Sequence, residues 1–165
     1  MNEIQKICSF FNEIGITWEQ CTLPDEPTFL PGIKIDRGCL KFDLEKLKYP
    51  GDLLHEAGHL AVETPERRAR MSDNVDENQD PAASLEMAAV LWSYAALRYL
   101  NLPIEFVFHQ EGYKGEADWL IEQFAQGSYL GLPLLQWMGL CYDERNAVSN
   151  NQAPFPHMIK WLREA

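Results

Sequence analysis

The chain has 165 residues, 46% of them hydrophobic and 24% charged, with a formal net charge of −11. That apolar content supports one packed domain over residues 1–165, and the acidic balance argues against nucleic acid as a partner, because phosphate binding needs clustered Lys and Arg. No run of 18 apolar residues occurs, which excludes a membrane-spanning helix, and MNEIQKICSFF has an early acid and no long apolar stretch, unlike a secretory leader.

In chain order, Asn2 to Ile14 predicts an amphipathic helix with Ile4, Ile7, Phe11 and Ile14 inward, closed by Gly15. Ile16 to Thr22 reads as a short strand. Pro31 to Asp43 reads as a hairpin, with IKI and CLKF flanking the turn Asp36-Arg37-Gly38. Tyr49-Pro50-Gly51-Asp52 is a turn, and Asp52 is the predicted N-cap of the next helix. On that helix Leu53, Leu54, Ala57, Ala61 and Val62 recur at helical spacing, and Pro65 is the predicted stop.

The same helix carries His55-Glu56-Ala57-Gly58-His59, an HExxH pattern. Residues four apart share a helix face, close enough for two imidazoles to grip one ion, and Glu56 beside them can take a proton from a water there. Gly58 costs about 1 kcal/mol of helix propensity, which is reasonable where another backbone packs closely. Thr64 to Asp80 is polar, acidic and aperiodic, and predicts a loop. Asp80-Pro81 reads as N-cap and first residue of a further helix, and from Pro81 to Leu97 the only charged residue is Glu86. A lone carboxylate on a helix that is apolar nearly all round needs a partner or a metal. Glu86 shares its stripe with Ala89, Val90, Ser93 and Leu97, which makes it the best third ligand. A second reading makes it a first-turn glutamate favoured by the helix dipole, and Glu63, Asp73, Asp76, Glu77 and Asp80 compete for the ligand role.

These residues resemble the gluzincin type of zincin-like metallopeptidases. The likeness covers roughly residues 31–97, and small intracellular zincins of the ImmA/IrrE type are similar in size and motif order. The resemblance implies an α+β, zincin-like fold: a small, mostly antiparallel sheet plus helices, with the HExxH helix followed by one carrying a glutamate ligand. It implies zinc bound by His55, His59 and Glu86, with Glu56 as general base, and an extended peptide held along a strand edge above the metal by β-augmentation. One position departs: some gluzincins have an aspartate four residues after the glutamate, where Val90 stands here. The residue orienting a metal histidine must then be Asp52, Asp43 or a backbone carbonyl.

Beyond Asn101-Leu102-Pro103, IEFVF favours a strand. His109 and Tyr113 follow in FHQEGYKG. Either could donate a hydrogen bond to the oxyanion of a peptide hydrolysis, or be a surface histidine and a half-buried tyrosine. Helices are predicted at about 115–126 and 129–139, a loose connection over Tyr142 to Pro156, and a final helix from His157 to Glu164. The five tryptophans read as core. Short basic spots at Lys41, Lys46 and Lys48, and at Arg67, Arg68 and Arg70, read as solvated faces. Cys8, Cys21, Cys39 and Cys141 are scattered without a CxxC, as for free thiols in a reducing cytoplasm. The leading expectation is a cytoplasmic zinc metallopeptidase acting on a peptide or protein. The alternatives are a zincin-like regulatory or interaction module with little turnover, and a structural zinc domain; three protein ligands with a cleft favour the enzyme, four ligands the structural site.

Overall fold

The computed structural model describes residues 1–73 and 82–165. Helix α1, Glu3–Ile14, starts with a capping box. The Asn2 side chain accepts from the Gln5 N–H at 2.8 Å, and the Gln5 side chain accepts from the Asn2 N–H at 3.0 Å. The helix ends at Gly15, which is left-handed at φ 86° and donates to the Phe11 carbonyl. Its buried stripe is Ile7, Phe10 and Phe11.

Three strands follow: β1 (Trp18–Gln20), β2 (Ile33–Asp36) and β3 (Cys39–Phe42). They form one sheet in the order β1-β3-β2. β2 and β3 make the expected hairpin, with Ile33 opposite Phe42 and Asp36 opposite Cys39. Its two turn residues, Arg37 and Gly38, have φ of 47° and 76°, the double positive that a two-residue hairpin turn needs. β1 runs parallel to β3, with Trp18 opposite Leu40. The sheet is therefore mixed and not mostly antiparallel: the connection over residues 21–32 carries the chain from β1 past β3 to the far edge, so the hairpin returns with β3 parallel to β1. Ile33, Ile35, Leu40 and Phe42 point from the sheet into the core.

Helix α2, Asp52–Ala61, follows. Its N-cap is Gly51, and Asp52 is the first helical residue with its carboxylate engaged elsewhere. Gly51 is required by contact: a Cβ there would collide with the Phe106 carbonyl. Pro65 opens the short helix α3, Pro65–Arg68, after α2 has already ended. Arg68 is not a solvated cation. Its guanidinium donates to the carbonyls of Leu60, Glu63 and Arg163 at 2.7, 2.8 and 2.7 Å, capping the end of α2 and tying down the C-terminal segment.

Helix α4, Ala82–Tyr99, is the central element and packs against α2 and α5 and, further on, α7. Its residues from Ala88 to Leu97 are all buried, as its uniform apolarity implies. The predicted start at Asp80-Pro81 lies outside the described residues. The IEFVF segment is helical, forming α5, Ile104–Val107. Pro103 supplies a helix start, the Phe108 N–H bonds to the Ile104 carbonyl, and this local turn overrides β propensity. Helices α6 (Ala117–Ala125) and α7 (Leu132–Trp137) match the expected pair.

The expected loose connection contains α8, Glu144–Ser149, with the Asp143 side chain accepting from the Asn146 N–H. The expected last helix is absent. His157 to Glu164 runs as an irregular strap: Met158 bridges Cys141, the Trp161 carbonyl accepts from the Trp92 indole, and the Arg163 N–H bonds to the Ala61 carbonyl. Of the tryptophans, Trp92 is fully buried, whereas Trp137 is 71% exposed and Trp119 is also exposed. The four cysteines are free. Among the described residues no helix is long and apolar enough to cross a membrane.

Candidate metal centre

Helices α2 and α4 cross in contact at Gly58, where a Cβ would lie 2.7 Å from the Ala89 carbonyl oxygen. Glycine lets the two backbones touch, and this contact sets the separation between the motif histidines on α2 and Glu86 one turn earlier on α4. The two Nε2 atoms of His55 and His59 are 3.2 Å apart. The Glu86 carboxylate reaches both, with Oε1 at 3.4 Å from His55 Nε2 and Oε2 at 2.9 Å from His59 Nε2.

Zinc bonds of about 2.0–2.2 Å at tetrahedral angles put donor atoms about 3.3–3.6 Å apart. The His–His edge of 3.2 Å and the His55–Glu86 edge of 3.4 Å are close to that spacing. The His59–Glu86 edge is of hydrogen-bond length and must open by a few tenths of an ångström to admit a cation. The protonation states also fit. Burial, then the neighbouring His59, push the His55 imidazole down to about 4, so it is neutral near pH 7 as a ligand must be. Burial tends to raise the Glu86 carboxyl, but its hydrogen bond to His59 and the attraction of the imidazoles in their protonated forms prevail and hold it below the usual range.

Glu56 belongs to the same constellation: its carboxylate and the ring nitrogens of His55 and His59 all lie within 4.8 Å of one another. Two carboxylates thus stand near the histidines. Glu86 touches both Nε2 atoms, whereas Glu56 opens onto a cleft of about 210 Å³ lined by Phe29, Leu30, Ile33 and Asp73. Burial raises the Glu56 carboxyl to about 7, in the range suited to a base at neutral pH.

Tyr113 sits behind His55. Its hydroxyl is 3.3 Å from His55 Nδ1, on the far side of the ring from Nε2. It is placed there by a single 3-10 turn, Tyr113–Gly115, in which Tyr113 and Lys114 hold φ of 57° and 54°. Left-handed backbone costs about 1–2 kcal/mol for an ordinary residue, and such strain is concentrated at functional sites. His109 is tied to the motif helix through Asp52, the first residue of α2. His109 Nε2 is 2.7 Å from Asp52 Oδ1, and the ring stacks on Tyr49 at 3.8 Å. Its Nδ1 is buried and has no hydrogen-bond partner among the described residues.

The structure therefore brings together His55, Glu56, His59, Glu86 and Tyr113, with His109 alongside. Asp52 engages His109, and Asp43 accepts the backbone N–H groups of Leu23 and Glu45, so neither orients a motif histidine through the contacts seen. Tyr113 fills that place for His55. Of the competing ligands, Glu63 pairs with Arg67 at 3.1 Å, Asp73 lines the cleft, and Asp76, Glu77 and Asp80 lie outside the described residues. The Asp52–His109 pair escapes sequence reading because its members are 57 residues apart with no shared motif. Along the end of β2 and the turn after it the chain lays down its own residues: the Asp73 N–H bonds to the Ile35 carbonyl at 3.1 Å, and in the turn the Arg37 N–H bonds to Ser72 Oγ and the Gly38 N–H to the Met71 carbonyl. Comparison with models of known protein families, with curated proteins and with solved structures finds no match.

Proposed function

We propose that the chain is a zincin-like zinc peptidase that holds its metal through His55, His59 and Glu86 and hydrolyses peptide bonds with Glu56 as general base. The observation that carries this reading is the triangle of His55 Nε2, His59 Nε2 and the Glu86 carboxylate, with edges of 2.9 to 3.4 Å. The chemistry zinc supplies in such a site is Lewis acidity, which brings the pKa of a coordinated water to about 7 and polarises a carbonyl.

The residues of the chain do the rest. Glu56, on the cleft side of the histidines, accepts a proton from the attacking water and returns it to the leaving nitrogen. Tyr113 accepts the His55 Nδ1–H, which fixes the tautomer that leaves Nε2 free to ligate, so it is a positioning residue. His109 is held by Asp52 on one nitrogen and by Tyr49 on its face. Its other nitrogen is buried, so His109 serves this reading by holding Asp52 at the start of α2 and not by touching substrate.

The test is metal analysis and peptide cleavage on the same preparations. Wild type should hold about one zinc per chain, and His59→Ala should hold little. Glu56→Gln should keep the zinc and lose about 10²–10⁴-fold in hydrolysis, as expected for removal of a general base. Loss of zinc from Glu56→Gln would instead make Glu56 a fourth ligand and the centre structural. Equal inertness of wild type and Glu56→Gln, both zinc-loaded, would replace the enzyme with a binding module.

A further inference from the structure

We infer that the groove between the end of α1, the start of α3 and the C-terminal strap binds a small carboxylic acid with an aliphatic or aromatic body, whose carboxylate meets the unused side of the Arg68 guanidinium. The groove holds about 600 Å³, within the range of about 300–1,000 Å³ for pockets that take a whole small ligand. It shares no lining residue with the proposed metal centre or with the cleft beside Glu56.

Arg68 is the anchor. Its Nε donates to the Leu60 carbonyl at 2.7 Å, and Nη2 donates to the carbonyls of Glu63 and Arg163 at 2.8 and 2.7 Å. The other terminal nitrogen, Nη1, donates to no group among the described residues, and solvent reaches it. No carboxylate among the described residues lies within ion-pair distance of the guanidinium; the Glu63 carboxylate pairs with Arg67 at 3.1 Å instead. A half-buried cation normally gains an acid. Burial lowers the Arg68 pKa, and the charge of Glu63 only partly offsets this. The guanidinium thus keeps the N–H donors of Nη1 and its positive charge for a partner that the described chain does not supply.

The walls supply the apolar part. Ile14, Pro65, Trp161 and Leu162 line them, and packing holds them in place. The Trp161 ring meets Phe10 edge-on at 4.9 Å and Trp92 at 5.6 Å, and its carbonyl accepts from the Trp92 indole at 2.8 Å. Leu162 lies against the end of α1, with Cδ1 3.8 Å from where a Cβ on Gly15 would stand. Two acids at the groove set the charge of the ligand. Glu13 accepts from the Tyr99 hydroxyl at 2.7 Å, and Glu164 pairs with Lys160 at 2.7 Å. Both repel a dianion such as phosphate, whereas Arg68 attracts a single negative charge, so a monoanion with an apolar body fits best.

The experiment is calorimetric titration of the full chain with sodium hexanoate and sodium phenylacetate, and with hexanamide and phenylacetamide as uncharged controls, alongside proton–nitrogen correlation spectra of the tryptophan indoles. The two acids should bind, and the amides should bind about tenfold more weakly, as expected for loss of a charge-assisted hydrogen bond. The Trp161 indole signal should move on binding. Arg68→Gln would remove the cap of α2 together with the site, so Pro65→Glu is the deciding variant. It places a carboxylate three residues before Arg68 on α3, at an exposed helix start where an acid is favoured. It should weaken both acids about tenfold by pairing with the guanidinium, with an unchanged circular dichroism spectrum. Acids that do not bind at millimolar concentration, amides that bind as well as acids, binding that survives Pro65→Glu, or binding that leaves the Trp161 signal unmoved would each overturn the site. Displacement of hexanoate by equimolar inorganic phosphate would overturn the choice of a monoanion.

Discussion

Gly58→Ala tests whether the α2–α4 contact sets the geometry of the proposed metal centre. The new Cβ would lie 2.7 Å from the Ala89 carbonyl oxygen and 3.3 Å from the Ala89 Cα and carbonyl carbon. Carbon–oxygen contacts of this kind normally settle at about 3.3–3.6 Å, so the helices must part locally by more than half an ångström. The obstructing atom is backbone in the middle of a buried helix and cannot swing aside as a side chain would. Alanine gains about 1 kcal/mol of helix propensity over glycine, while overpacking costs about 1–3 kcal/mol. The expected net change in the metal-free protein is a loss of about 0–2 kcal/mol by those two figures. The effect on zinc should be larger in proportion. Glu86 rides on α4 and the histidines on α2, and ligand distances tolerate only about ±0.2 Å. A drop in zinc affinity of about 10–100-fold is expected, the range seen when supporting contacts of a metal site are altered. Chelator competition gives the affinity, and thermal melts with chelator present give the metal-free stability. A metal-free protein that melts higher than wild type, with zinc affinity unchanged, would show that the helices are free to adjust and that the contact does not position Glu86.

Asp43 predicts a pH dependence. Its carboxylate accepts the Leu23 N–H at 2.9 Å and the Glu45 N–H at 3.0 Å, and the bond from Leu23 is the main cause of its lowered pKa. A group whose folded pKa lies below its unfolded value of about 3.9 stabilises the fold above that value, and the stabilisation fades as pH falls through the folded pKa. Asp43→Ala should therefore lower the urea midpoint at pH 7, and the gap to wild type should narrow below about pH 4; a gap that is constant with pH would mean that the ionised form is not what the backbone groups hold. Two tryptophans should behave oppositely. Trp137→Ser, at a site 71% exposed, should stay within about 0.5 kcal/mol of wild type in urea titration. Trp92→Ala removes a fully buried ring whose indole N–H bonds to the Trp161 carbonyl at 2.8 Å, and should cost about 3–5 kcal/mol; comparable losses at the two positions would contradict this division of the core.

How much of this was visible beforehand follows from the range of the forces involved. Helix α2 was legible because its apolar spacing, the glycine before it and the motif lie within a dozen residues. Glu86 was legible by contrast, as the one charge between Pro81 and Leu97. Even Gly58 could be read as a point of close approach, since a mid-helix glycine needs a reason. What failed were segments whose state is decided by distant partners. IEFVF has β-favouring side chains, yet Pro103 and packing against α4 make it a helix. The segment from His157 to Glu164 has some helical periodicity, but its backbone is claimed by Ala61, Cys141 and the Arg68 guanidinium, far back in the chain. Trp137 shows the limit of composition: a large apolar residue on a short helix can face water, where Arg163 stacks over its ring at 5.0 Å.

The expectation that a lone carboxylate on an apolar helix must be buried does not hold for Glu86, which finds its partners in the two imidazoles while keeping much of its side chain in water. The three donor side chains are graded in exposure, 12% for His55, 26% for His59 and 43% for Glu86. Glu86 sits at the rim, and the burial cost falls chiefly on His55, whose imidazole is pushed down to about 4. Depth decides which face of the triangle a substrate can approach. Tyr113 and the strained turn block the side behind His55, and the α2–α4 contact at Gly58 blocks the side between the helices. Among the described residues two sides stay open: the rim at Glu86, and the side where Glu56 meets Phe29, Leu30 and Ile33. Glu56 and the apolar wall thus share an open face because packing has closed two of the others, and the same packing that makes Gly58 obligatory leaves that face to a substrate of the proposed peptidase.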